Sequence, residues 1–168
     1  MHHHPHVVLV GVPGCGKSRT GSILARRMGR PFLDANSASG VPSGHVLRQN
    51  RTAEIDEAER GWLERVLGTS GPLVVSAPWE AVAVLDEVDR ACFWAVWLDA
   101  APETLTDRLR EDDAAVSRTD LDAYLAEYRA STTVAERIVD VRIATDGRTP
   151  ELVATDIAAA WQSRTSVA

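Results

Sequence analysis

Short runs of apolar, β-branched or aromatic residues alternate along the chain with longer stretches in which apolar side chains recur every three to four positions. The first pattern suits a strand covered on both faces, and the second a helix with one buried stripe. It predicts strands at Val7 to Val10, Pro31 to Asp34, Leu73 to Ser76, Phe93 to Leu98 and Val139 to Ala144. Helices are predicted at Ser18 to Met28, Thr52 to Leu67, Trp79 to Arg90, Pro102 to Arg110, Asp120 to Arg137 and Pro150 to Trp161. Thr149, Pro150 and Glu151 supply an N-cap, a first-turn proline and a first-turn acid, and Ala101-Pro102-Glu103 is a weaker version of the same start. No repeat, low-complexity tract or linker interrupts the alternation, which reads as α/β with one parallel sheet.

Composition narrows the picture. A chain of 168 residues with 45% apolar content is long enough for one compact domain and too short for two. Residues 1–5 are expected to be disordered, and the histidines there read as a frayed terminus rather than a metal site. The net charge of −6, without any basic block, argues against a nucleic-acid partner, because binding to phosphate backbones needs clustered Lys and Arg. No apolar stretch approaches the roughly 20 residues that span a bilayer. The opening Met1-His2-His3-His4-Pro5-His6 lacks the features of a signal peptide, so no membrane partner and a cytoplasmic location are expected. Cys15 and Cys92 are the two cysteines; they give no metal-site spacing and fit a reducing compartment. A monomer or weak dimer is the expected state.

The candidate chemistry lies directly after the first predicted strand. "GVPGCGKS", Gly11 to Ser18, matches the phosphate-cradling pattern G-x-x-x-x-G-K-[ST]. Gly11, Gly14 and Gly16 let the backbone approach an oligophosphate with N–H groups turned inward, at the positive end of the next helix. Pro13, Cys15 and Arg19 complete the stretch expected to line the nucleotide. Lys17 should reach the β and γ phosphates of ATP, and the Ser18 hydroxyl should bind Mg²⁺. Lys17 is the single lysine among 18 Lys and Arg residues, which suggests that a compact ammonium is needed where a planar guanidinium will not serve. Strand, glycine loop and helix in this order predict a P-loop NTPase three-layer sandwich with a five-stranded parallel sheet.

The same loop serves several trades. "AVLDEVDRA", Ala83 to Ala91, looks locally like a Walker B strand ending in Asp86 and Glu87, which leaves an AAA-type ATPase or a nucleotide-binding regulator as an alternative. Against it, Leu73 to Ser76 already ends in a turn at Ala77-Pro78, and the residues that follow have helical spacing.

Across almost the whole chain the sequence resembles the shikimate kinase and gluconokinase group of P-loop kinases. "PFLDAN" resembles the group's F-x-D-x-D, which implies that Asp34 helps to hold Mg²⁺. "FWAVWLDAAPETLTDRL" resembles its strand, helix and Arg-Leu pair, which implies that Arg108 lies against the adenine. "YLAEYR" and "RIVDVRIATDG" resemble the helix and final strand that close the nucleotide site. The lid is expected at about residues 111–119, with Arg118 as its arginine.

The resemblance implies a kinase acting on a hydroxyl of a small polar acceptor, a shikimate- or gluconate-like acid or a cyclitol. Two departures bear on that acceptor. Asn36 stands where the group has its second acid, and Ala77-Pro78-Trp79 replaces a run of glycines with a proline that has no backbone N–H. Shikimate is therefore expected to be a poor substrate. "VSAPWE" and "DEAERGWLERV" look somewhat more like gluconokinase segments. Asn36, Trp79, Arg60 and Arg129 are the candidate acceptor residues, with Arg48 and Arg51 as further sources of positive charge. The loss of the second acid also leaves open a degenerate kinase fold acting as a binding module.

Overall fold

The computed structural model describes residues 5–39, 53–112 and 114–165. The expectations for residues 1–4, Arg48 and Arg51 lie outside these. Five strands, β1 (His6–Val10), β2 (Phe32–Asp34), β3 (Val74–Ser76), β4 (Phe93–Asp99) and β5 (Val141–Ala144), form one sheet in the order β2-β3-β1-β4-β5. Every pairing is parallel. β1 is buried along its whole length and β4 along all but its last residue, whereas the edge strands β2 and β5 alternate between half-buried and exposed positions. A parallel strand covered on both faces must be apolar throughout, and a partly open edge strand need not be.

The helices are α1 (Lys17–Met28), α2 (Ala35–Ser39), α3 (Ala53–Leu67), α4 (Pro102–Asp112), α5 (Arg118–Ile138) and α6 (Pro150–Thr165). The predicted starts and stops are close to those observed. α6 begins as its capping residues require, with the Thr149 hydroxyl accepting from the Leu152 N–H at 3.4 Å. α5 opens on a capping box in which Ser117 and Asp120 satisfy each other's backbone N–H groups. α2 was not anticipated.

The predicted helix from Trp79 to Arg90 is the main correction. Trp79–Asp86 is a 3-10 helix, followed after a turn by a second short one at Arg90–Cys92. Trp79, Ala81, Val82, Val84 and Leu85 are all buried, so this segment is covered on more than one side where it packs against α3 and α5. It has no polar stripe of the kind that an amphipathic α-helix turns to water.

Strand order decides where a ligand can sit. β1 lies between β3 and β4, so the chain leaves its carboxyl end at the switch point of the sheet. Crevices in open parallel sheets form there.

Candidate active site

The loop after β1 is shaped by its glycines. Gly11 has φ +152°, and a Cβ there would lie 2.5 Å from Cys15 Sγ and 2.6 Å from the Leu98 carbonyl oxygen. Cys15, 1% exposed, thus fills the space behind the loop, which is a packing role. Gly16 is the N-cap of α1, with φ 97° and no side-chain cap. The first N–H groups of α1 are consequently left for a ligand, and an anion suits that end of a helix. Lys17, 8% exposed, folds back on the loop and donates to the Gly11 and Val12 carbonyls, the latter at 3.4 Å, with Cys15 Sγ 3.9 Å away.

Two helices clamp the loop from outside. Arg108 on α4 donates to the Gly14 carbonyl at 3.3 Å, to the Thr145 hydroxyl at 3.1 Å and to the Thr145 carbonyl at 2.9 Å. Tyr124 on α5 donates its hydroxyl to the Pro13 carbonyl at 2.7 Å. Sequence reasoning passed over Tyr124, which is 111 residues from its loop partner Pro13, and Thr145, which reaches the loop only through Arg108. For Tyr124 the visible signal was its place in "YLAEYR".

Next to the loop, Asp34 ends β2 and its Oδ1 accepts from the Asn36 backbone N–H at 3.1 Å. The Asn36 carboxamide reaches Ser18 Oγ at 3.4 Å. Ser76 lies opposite Asp34 in the strand register; it is 1% exposed and its hydroxyl has no partner among the described residues. Two hydroxyls and a carboxylate at one corner of the sheet, one hydroxyl orphaned, are hard oxygen donors of the kind a magnesium ion takes. These residues fit Mg²⁺ carried by a nucleotide.

A cavity of about 370 Å³ runs over this surface. Pro13, Gly14, Cys15, Gly16, Lys17, Ser18, Arg19 and Arg108 of the predicted nucleotide set line it, as do Asn36 and Trp79 of the acceptor set. Arg148, Pro150 and Val153 extend it past α6, while Glu59 and Pro78 border the acceptor end. Gly11 and Asp34 shape the site without lining the cavity. Trp79, 4% exposed, is held by Trp97 and Tyr128, with ring centroids 6.2 Å and 6.3 Å away. The Tyr128 hydroxyl donates to Asp99 at 2.8 Å. Burial first, and then the Asp99 carboxylate, pushes the Tyr128 pKa up to about 12, so it remains a neutral donor.

Three predicted arginines stand elsewhere. Arg60 pairs with Glu87 at 2.5 Å and with Glu64 at 3.6 Å. Arg129 and Arg118 are exposed and do not line the cavity. Of the span expected as a lid, Glu111 and Asp112 end α4, Arg118 and Thr119 begin α5, and Val116 between them is buried at 7% exposure. Asp86 and Glu87 sit at the end of the 3-10 helix, paired with Arg137 and Arg60, and not at a strand tip as a Walker B acid would be.

A phosphate loop at the switch point of a parallel sheet, with a hydroxyl and a carboxylate beside it, defines a P-loop phosphotransferase. The family model for shikimate kinase matches residues 13–162, and the chain belongs to the shikimate kinase family. A shikimate kinase from Symbiobacterium thermophilum is 34% identical over 110 residues, which cover 62% of this chain and 63% of that one. A shikimate kinase from Sulfurihydrogenibium sp. is 28% identical over 159 residues, covering 90% of this chain and 95% of that one. Among solved structures, a shikimate kinase from Acinetobacter baumannii in complex with shikimate has a TM-score of 0.77 at 16% identity, covering 97% of this chain and 96% of that one. A gluconokinase from Sinorhizobium meliloti 1021 has a TM-score of 0.62 at 16% identity, with 99% and 98% covered; both structural likenesses concern the fold. The protein is an ATP-dependent kinase of a small metabolite, a phosphotransferase with a hydroxyl acceptor.

Proposed function

We propose that the protein transfers the γ-phosphoryl group of ATP to a hydroxyl of a small polar metabolite of the cyclitol or polyol type, with shikimate itself a poor acceptor. The observation that carries this reading is the approach of Asn36 Nδ2 to Ser18 Oγ at 3.4 Å. It puts a group able to hold an acceptor hydroxyl beside the hydroxyl suited to the nucleotide's cation.

Lys17 exchanges its loop carbonyls for phosphate oxygens, and the open N–H groups at the start of α1 take the rest of the phosphate charge. Ser18 and Asp34 would hold the nucleotide's Mg²⁺, which would supply neutralisation of phosphate charge. Arg108, already tied to the loop and to Thr145, braces the nucleotide end. Arg118 stands at the exposed start of α5 and contributes only if the connection before it closes over the cavity. Asn36 orients the acceptor but is not a base. A loose phosphoryl-transfer transition state asks little of a base, and Asp34 lies beside Asn36, from whose backbone N–H it accepts.

The test is a coupled ADP-release screen of cyclitols, polyols, sugar acids and shikimate. Acceptor-dependent turnover supports the proposal. ADP release that no acceptor accelerates would move the reading to the ATPase or regulator, which the paired, exposed Asp86 and Glu87 do not favour.

A further inference from the structure

We propose that the acceptor is a hydroxylated amine, such as an aminocyclitol, amino sugar or amino alcohol, whose ammonium faces Glu59. This rests on the kinase reading above and names its substrate class.

The cavity has two ends of different charge. Lys17, Arg19, Arg108 and Arg148 line the nucleotide end. At the acceptor end the lining residues among those described are Asn36, Glu59, Pro78 and Trp79: an amide, a carboxylate, a proline and an indole, without a cation. Glu111 and Asp112 also line the cavity, but on α4 with Arg108 and so toward the nucleotide end.

Helix geometry explains the sign. Consecutive residues of a helix point about 100° apart, so when Glu59 turns to the cavity its neighbour Arg60 turns away. Arg60 is then held outside by Glu87 and Glu64. Arg137, on α5, is likewise paired with an acid, Asp86, at 3.0 Å.

A carboxylate acceptor would have to bring its charge up to Glu59 in a partly closed space, where like charges repel far more strongly than in water. An ammonium there gains a charge-assisted hydrogen bond. Glu59 already interacts with a further group, so the ammonium would share the carboxylate with it. Trp79 adds a surface that favours both a cation and the C–H face of a ring. Trp97 and Tyr128 hold it in place, and its Nε1–H has no partner among the described residues.

The transfer itself is unchanged. The acceptor oxygen forms its bond to phosphorus as the bond to ADP breaks, and the hydroxyl proton leaves to water. The protonated amine has no lone pair with which to compete.

The experiment uses the full chain in a coupled ADP-release assay with matched acceptors: glucosamine against glucose, 2-deoxystreptamine against inositol, and gluconate and shikimate as acids. The amine of at least one pair should exceed its neutral partner about tenfold or more in kcat/KM. Glu59→Gln should bring that ratio near one while leaving the KM for ATP unchanged. Should the variant fold poorly by thermal melting, the pair ratios of the native protein decide alone. Preference for the acids, or a ratio that Glu59→Gln does not move, overturns the proposal and leaves the kinase standing. If no acceptor of any class accelerates ADP release, the proposal and the kinase reading fall together.

Discussion

The carboxamide of Asn36 lies 3.4 Å from the hydroxyl of Ser18, so the residue standing in place of an acid touches both halves of the cavity. Asn36→Ala is expected to lower acceptor-dependent kcat/KM about tenfold, the usual worth of a lost hydrogen bond in a closed site. The Kd for ATP, from a fluorescence titration, should stay within about twofold because the loop supplies most phosphate contacts. A loss confined to ATP binding would instead place Asn36 on the nucleotide. The native protein should phosphorylate shikimate well below the roughly 10⁴ M⁻¹s⁻¹ of a good enzyme.

Lys17 has its own test. Its partners are loop carbonyls, so Lys17→Ala should leave the circular dichroism spectrum and melting curve near native. Turnover should drop about 100-fold or more, corresponding to about 3 kcal/mol of lost transition-state charge stabilisation. Lys17→Arg should fail nearly as badly, because a planar fork does not fit a loop built around an ammonium.

Tyr124 holds the loop from α5 through its 2.7 Å hydrogen bond to the Pro13 carbonyl. Tyr124→Phe keeps the ring, which is buried at 6% exposure, and removes the donor. A stability loss of about 1 kcal/mol is expected in urea unfolding. The KM for ATP should rise more than the KM for the acceptor, since the loop that loosens is the one facing phosphate. Equal changes in both would make the bond purely structural.

Glu87 separates the kinase from an AAA-type ATPase. Its pairing with Arg60 at 2.5 Å is exposed, with side-chain accessibilities of 41% for Arg60 and 61% for Glu87, and exposed ion pairs contribute little. Glu87→Gln should therefore change stability by no more than about 0.5 kcal/mol and leave turnover unaltered. Retained ATP binding with abolished hydrolysis would restore the Walker B reading.

His6 gives the fold a pH dependence. The ring is 4% exposed; Nδ1 accepts from the Leu73 N–H at 3.2 Å and Nε2 donates to the Leu67 carbonyl at 3.2 Å. Desolvation, with a smaller contribution from the charge of Arg30, holds its pKa below 6.5. The unfolded chain then binds the proton more readily than the folded one, so stability rises with pH through this window. It is complete above 6.5 and is lost as pH falls from there toward the depressed value. Urea midpoints measured from pH 7.5 down to 5.5 should decline in the native protein, and His6→Leu should flatten that decline.

What local sequence determined is the phosphate machinery. An apolar strand followed by three glycines, a lysine and a serine between Gly11 and Ser18 forms a loop and a helix start whose geometry depends on φ values and open N–H groups within a few residues. Strand positions and the capping of α6 were legible for the same reason: periodicity and caps are short-range signals.

The acceptor end depended on the tertiary structure. Asn36, Glu59 and the adjacent pair Pro78 and Trp79 come from three separate parts of the chain and meet only once the sheet has its order. Arg60 was a reasonable candidate in a string of letters. The phase of α3 turned Glu59 inward in its place, and Glu87 was waiting on the outside. Packing likewise made a 3-10 helix of Trp79–Asp86, because burial on more than one side overrides an apparent helical stripe. Tyr124 could be recognised as a brace for Pro13 only after folding brought together residues 111 positions apart. Spacing along the chain carries phosphate chemistry because a single loop holds the phosphates, whereas an acceptor is held by walls that the chain supplies from several places.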